Sequence, residues 1–151
     1  MKLAKTVQLD ISDTQIFEQP AEVGEWAIAG TFTFVDSNPD MWSKKQQLAF
    51  KTAWLGIGSF GYSTFVQTTQ ISPSEYEELL HNLTLHLAEI YKAPNLDAAR
   101  NAAKSEIDDM TTLCEHPPGT LLAIQRSFTG DNILEKTRII LPTNEPAKPF
   151  T

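Results

Sequence analysis

Six residues, Gly56-Ile57-Gly58-Ser59-Phe60-Gly61, carry the glycine spacing of a dinucleotide-binding loop. That chemistry needs a strand before the loop and a helix after it, so that a pyrophosphate meets the free N–H groups of a helix N-terminus. Here the patterning runs helix, loop, strand, and a phosphate would face the wrong helix end. The glycines therefore read as a connector that admits a tight turn. Arg126 stands in an apolar stretch beside Phe128. An arginine in that setting can clamp a carboxylate or phosphate, or it can face solvent, because strand residues alternate between faces. Arg126, Tyr62, Gly58 and Gly61 are the candidate ligand-binding residues, with Tyr62 as the polar handle.

Metal and nucleophile chemistry find less support. His81 and His86 are five residues apart, about 140° around a helix, so they cannot ligate one ion from that helix. His81 follows Glu77 and Glu78 at helical spacing, which favours a surface ion pair. Cys114 precedes His116, but it falls near a helix C-terminus, where the dipole disfavours a thiolate, and on an apolar stripe. It reads as a buried structural cysteine. Glu106 and Asp109 share a helical face with Asp108 nearby, and read as a solvated acidic surface. Ser59, Tyr62 and Ser63 supply hydroxyls with no positioned base. No catalytic residue, metal site or cofactor is assigned.

Aromatic residues concentrate in the first half of the chain: Trp26, Phe32, Phe34, Trp42, Phe50, Trp54, Phe60, Tyr62 and Phe65. Aromatics dominate both cores and interfaces. Trp26, Trp42 and Trp54 are the candidate interface residues; burial in the core is the plain alternative.

The elements that must position these residues follow from periodicity and punctuation. Alternation predicts strands at 2–9 and, most clearly, 25–35, with a short extended piece at 14–18 between them. Asn38-Pro39-Asp40 starts a helix predicted to run to about Leu55, ended by Gly56 or Gly58. A strand follows over 60–71. Ser72-Pro73-Ser74-Glu75 is a capping box, and the helix it opens runs to about Tyr91 with apolar residues at three and four. A third helix, capped by Asn95 or Asp97, ends near Glu115. Two strands, 120–128 and 133–141, flank the turn residues Thr129-Gly130-Asp131-Asn132. The order β-β-β-α-β-α-α-β-β predicts an α+β fold: one mainly antiparallel sheet with about three helices packed on one face. Residues 1–141 form a single domain in this reading, and 142–151, with three prolines, an extended or disordered tail.

Composition sets the limits. The chain has 151 residues, 41% apolar and 21% charged, enough apolar side chain to build a core. Twelve basic against nineteen acidic residues give a net charge of −7. That balance excludes nucleic acid and anionic membrane surfaces as expected partners. A single cysteine rules out an intramolecular disulfide and suits a reducing compartment. Gln8 and Asp10 interrupt any signal-peptide apolar run. A cytoplasmic location is expected.

Three stretches, KLAKTVQLDISDTQIFEQPAEVGEWAIAG (2–30), GSFGYSTFV (58–66) and QRSF (125–128), resemble a family of small bacterial (proteobacterial) proteins of unknown function. The resemblance spans most of the chain outside the tail. It implies a bacterial, cytosolic, single-domain protein and supplies no catalytic residues. The expectation is a non-enzymatic accessory or protein-interaction protein, acting as a homodimer or with a protein partner. The alternative is a small-molecule-binding domain or enzyme with a pocket between sheet and helices, near the 56–61 loop and Arg126. A metal-dependent hydrolase built on Glu106, Asp109 and a distant histidine is a third reading.

Overall fold

A computed structural model describes residues 1–9 and 16–140. Among these residues seven strands form one antiparallel sheet: β1 (Lys2–Val7), β2 (Trp26–Ile28), β3 (Trp54–Gly56), β4 (Tyr62–Ser63), β5 (Phe65–Gln70), β6 (Leu121–Thr129) and β7 (Asn132–Ile140). Their order across the sheet is β4-β3-β2-β1-β5-β6-β7. Among the described residues three helices accompany it: α1 (Lys44–Thr52), α2 (Pro73–Ile90) and α3 (Leu96–Leu113). The fold is α+β, as the sequence predicts. Among the described residues no helix is long and apolar enough to cross a membrane. The expected tail, and residues 10–15 of the expected early elements, lie outside the described residues.

The later elements form where their local signals place them. Ser72 opens α2: its hydroxyl accepts from Glu75 N–H at 3.2 Å, and Glu75 accepts from Ser72 N–H at 2.9 Å. These bonds hold the Glu75 carboxyl below its ordinary range. Asn95 caps α3 through Ala98 N–H at 2.8 Å. The β6–β7 hairpin closes from Thr129↔Asn132 to Leu121↔Ile140, with Gly130 at φ +63° in the two-residue turn.

The first half departs from its alternation. The strand expected over 25–35 ends at Ile28. Gly30 adopts φ +76°, and a Cβ there would stand 2.5 Å from Leu55 Cβ. The chain then turns into a 3-10 segment, Thr31–Phe34, with the Thr33 hydroxyl donating to the Gly30 carbonyl at 2.8 Å. Alternating Phe32 and Phe34 thus go to different clusters instead of one strand face. Asn38 caps only the 3-10 turn Pro39–Met41. The lasting helix begins at Ser43, where Ser43 and Gln46 form a capping box, and stops at Thr52. Trp54 and Leu55 instead pair with β4 and β2 as β3. The order is therefore two strands before α1 and three between α1 and α2.

Two clusters hold the fold. The larger joins Leu3, Ile28, Trp54, Val66, Leu122 and Ile124 of the sheet to α2 and α3. Ala99 and Ala103 are fully buried there, so α3 approaches its neighbours closely. Each large side chain removed from water in this way contributes roughly 1.5–3 kcal/mol. The smaller cluster gathers Phe17, Phe34, Ala49, Phe50 and Ala53, with Trp42, Tyr62 and Ile133 packed on it. Helix α1 belongs to this second cluster, apart from α2 and α3.

Candidate functional site

Arg126 faces inward. It is 2% exposed, on the distal half of β6. Its Nη1 donates to the Phe50 carbonyl at 2.8 Å and to Ala49 at 3.4 Å, its Nη2 to the Ala29 carbonyl, and its Nε to Thr31 Oγ1 at 2.8 Å. The Phe50 carbonyl is one of those a helix C-terminus leaves without an intrahelical partner, so Arg126 caps α1. Glu135, its partner across the β6–β7 register, lies 3.8 Å from Nε and accepts from the Thr31 hydroxyl. Burial pushes the guanidinium down to about 10, with Glu135 and Tyr62 opposing, so it stays charged at neutral pH. This arginine ties the hairpin, α1 and the segment after β2 together.

The glycine loop holds an anion that the chain itself supplies. Glu25 Oε1 accepts from Ser59 N–H at 2.8 Å, and Oε2 accepts from the Ser59 hydroxyl and from Glu22 N–H at 2.6 Å. A Cβ on Gly56 or Gly58 would stand 2.8 Å from this carboxylate. The glycines therefore make room for Glu25. Gly61 makes room for backbone instead, since a Cβ there would meet the Pro20 carbonyl oxygen at 2.5 Å.

The four candidate ligand residues do not converge. Gly58 lines a cleft of about 320 Å³ against α2, with Phe60, Asn82, His86 and Glu89. Phe60 takes a left-handed φ of +56°, and its ring lies flat on His86 at 3.7 Å. Burial holds His86 below its ordinary value, with Glu89 opposing. Tyr62 packs between Phe17 and Phe34 at 6.0 Å from each, and Phe34 separates it from the Arg126 guanidinium, 5.3 Å from the Phe34 ring.

The tryptophans separate too. Trp54 is wholly buried, its indole N–H without a partner among the described residues, and offers no surface to another protein. Its place in the expected interface is corrected on that ground. Trp26 is half-buried under Lys5, whose Nζ lies 4.7 Å from the ring. Trp42 reaches the surface, with its indole N–H donating to Ser37 Oγ at 2.9 Å.

Trp42 belongs to an aromatic shelf. Phe128, near the hairpin tip, is 45% exposed and stacks on Phe50 at 4.7 Å and 12°, and on Trp42 at 6.1 Å and 27°. Phe34 braces both Trp42 and Phe50 edge-on. A cleft of about 260 Å³ lies on one side of Phe128, against Trp42, Gln47 and Lys51 of the α1 side. A second, of about 530 Å³, lies on the other, against Thr31, Phe34, Val35 and Asp131. Val35 and Met41 are exposed at 62% and 78%.

The remaining chemical candidates stay apart. Among the described residues no three His, Cys, Asp or Glu side chains stand together as metal ligands. Glu106 is raised above its ordinary value by burial, then by Asp109 and Glu135. Cys114 is fully buried, and burial pushes its thiol up to about 12 against the pull of Lys2.

Over residues 1–150 the chain matches the model of a family described as "Family of unknown function (DUF6505)". The chain belongs to this family. No curated protein and no solved structure matches it.

In this member of the family, sequence reasoning missed Glu25 and Phe128. Glu25 lies next to Trp26 with no motif of its own; the spacing of the 56–61 glycines is the only sign that a group needs room. Phe128 stands out in the sequence only as a neighbour of Arg126. The signal for it is the register of the hairpin, which puts Phe128 on the same face as Arg126 two residues before the turn.

Proposed function

We propose that this protein is a non-enzymatic binding partner of another protein, and that the shelf of Trp42, Phe50 and Phe128 receives apolar side chains from an extended segment of that partner. One observation carries the reading: Phe128 is stacked face to face in a ring cluster yet 45% exposed, between two clefts. An aromatic held rigid by its neighbours loses little entropy when a partner covers it, and such residues form the energetic centres of interfaces. Phage-displayed peptides selected on the full chain test it. Phe128→Ser should abolish enrichment with its unfolding midpoint close to wild type, and Trp42→Ala should abolish it alongside some loss of stability, since Trp42 also packs on Phe34 and Phe50. Peptides that bind both variants as they bind wild type would refute the reading. The setting we propose is a bacterial cytoplasm, which accords with one buried, unpaired cysteine.

The small-molecule alternative rests on Phe60. A non-glycine residue held left-handed and flat against His86, at the mouth of a cleft, is the kind of strained position that ligand sites use. A planar aromatic compound displacing Phe60 would shift the His86 ring resonances. A broad screen that leaves those resonances in place would count against it.

A further inference from the structure

Helix α1 carries positive charge at the end where its dipole opposes it. Lys44 and Lys45 occupy the first turn, which holds no acidic residue. Free N–H groups already make that end partly positive, so lysines there are unfavourable. The capping box uses Ser43 and Gln46 and gives the lysines no part. Glu18 accepts from the Ser43 hydroxyl at 2.8 Å and sets one carboxylate at this end, against two lysines. Asp40 lies in the preceding turn. Neither Lys44 nor Lys51 forms an ion pair among the described residues. The sequence of α1, KKQQLAFKT, contains three lysines and no acid, on a chain of net charge −7.

The lysines are also aligned. Lys44 and Lys51 are seven residues apart, about 20° around the helix, with Gln47 between them. Gln47 and Lys51 line the cleft beside Phe50 and Phe128. Gln47 and Lys51 therefore line that cleft, and Lys44 continues the same helix face beyond its edge, toward the start of α1. The cleft beyond Phe128 carries Asp131 instead.

From this charge complementarity we infer that the partner segment is acidic: an extended peptide whose aromatic or branched apolar anchor rests on Phe128 and Trp42, with carboxylates on the α1 side facing Lys44 and Lys51. The inference rests on the reading of the shelf given above. Phe128 supplies the anchoring surface, and the lysine stripe selects the flanking charge and so the direction of the peptide.

Short synthetic peptides with a common Trp-Leu centre, flanked by Glu, Gln or Lys, test it by fluorescence anisotropy on the full chain. The Glu peptide is expected to bind about tenfold tighter than the Gln peptide at low salt, with the ratio shrinking at high salt. Lys44→Gln with Lys51→Gln should bring the two peptides level. Lys45→Gln, about 100° away from Lys44 around the helix, should leave the ratio unchanged. Equal binding of the Glu and Gln peptides, both lost in Phe128→Ser, overturns the acidic preference and leaves the shelf standing. No binding by any peptide, or binding indifferent to Phe128→Ser, overturns the shelf as well. A dimer of this chain that Phe128→Ser dissolves would make a second copy the occupant, and would also overturn the inference.

Discussion

Replacing Arg126 by alanine removes four hydrogen bonds that its guanidinium donates into the junction between hairpin, α1 and the segment after β2. The Phe50 and Ala29 carbonyls lose their partner inside the protein. The Ala49 carbonyl loses less, because it also accepts from Ala53 N–H at 2.9 Å. An orphaned buried acceptor costs roughly 1–3 kcal/mol. Glu135 keeps its Thr31 hydroxyl and is partly solvated, so its loss is about 1 kcal/mol at most. Relief of the buried guanidinium's desolvation offsets part of this sum. The two orphaned carbonyls dominate, and the net cost should be about 2–5 kcal/mol. For a chain of this length that is a fall of roughly 5–20 °C in Tm. Urea unfolding followed by fluorescence, with Trp54 fully buried in the core as a reporter, measures it directly. Arg126→Lys keeps the charge but not the fork, and should recover only part of the loss. A cost below about 1 kcal/mol for Arg126→Ala would refute the argument, because the guanidinium would then be free to hold a ligand.

Three further outcomes follow from the geometry. Gly58→Ala, at φ +138° and 2.8 Å from the Glu25 carboxylate, should destabilise by roughly 1–3 kcal/mol, and by less in a Glu25→Ala background; equal costs in a double-mutant cycle would show that the glycine does not serve Glu25. His86 has its pKa held below 6.5 by burial, so between the folded value and 6.5 the unfolded chain binds more protons. Stability should therefore fall as pH drops through that window, and His86→Phe should flatten this part of a Tm-versus-pH curve. Burial pushes the Cys114 thiol up to about 12, so almost none of it is thiolate at pH 8 in the folded protein. A disulfide reagent at pH 8 should label it slowly in the folded protein and quickly in urea; fast labelling of the native chain would contradict its burial.

What the sequence disclosed was local. Ser72 and Glu75, Asn95, and the turn at Gly130 each act within a few residues of themselves, and the elements they bound lie where predicted. What it concealed depends on contacts far along the chain. The alternation through Phe34 is genuine, but Leu55, twenty-five residues on from Gly30, occupies the space that a side chain at Gly30 would need. Trp54 and Leu55 continue the helical pattern of α1 and yet serve β3, because β2 and β4 offer them a ladder. The candidate site divides the same way. Glycine spacing reveals that something has to approach the loop, but not that the approaching anion is Glu25. Arg126 stands out by type, while its acceptors lie 76–97 residues earlier and leave no trace in its neighbourhood.

The hairpin has a consequence for the order in which the chain assembles. β6 is held to β5 by three register pairs and to β7 by nine. The hairpin can form early as a local unit, but its tip has nowhere to dock until α1 and the turn after β2 are both in place. Docking of the tip through Arg126 is therefore expected late, with little of it present in the transition state. Substitutions at Arg126 should leave the refolding rate nearly unchanged and speed unfolding, so that the lifetime of the native state, more than the speed of reaching it, is set at the far end of β6.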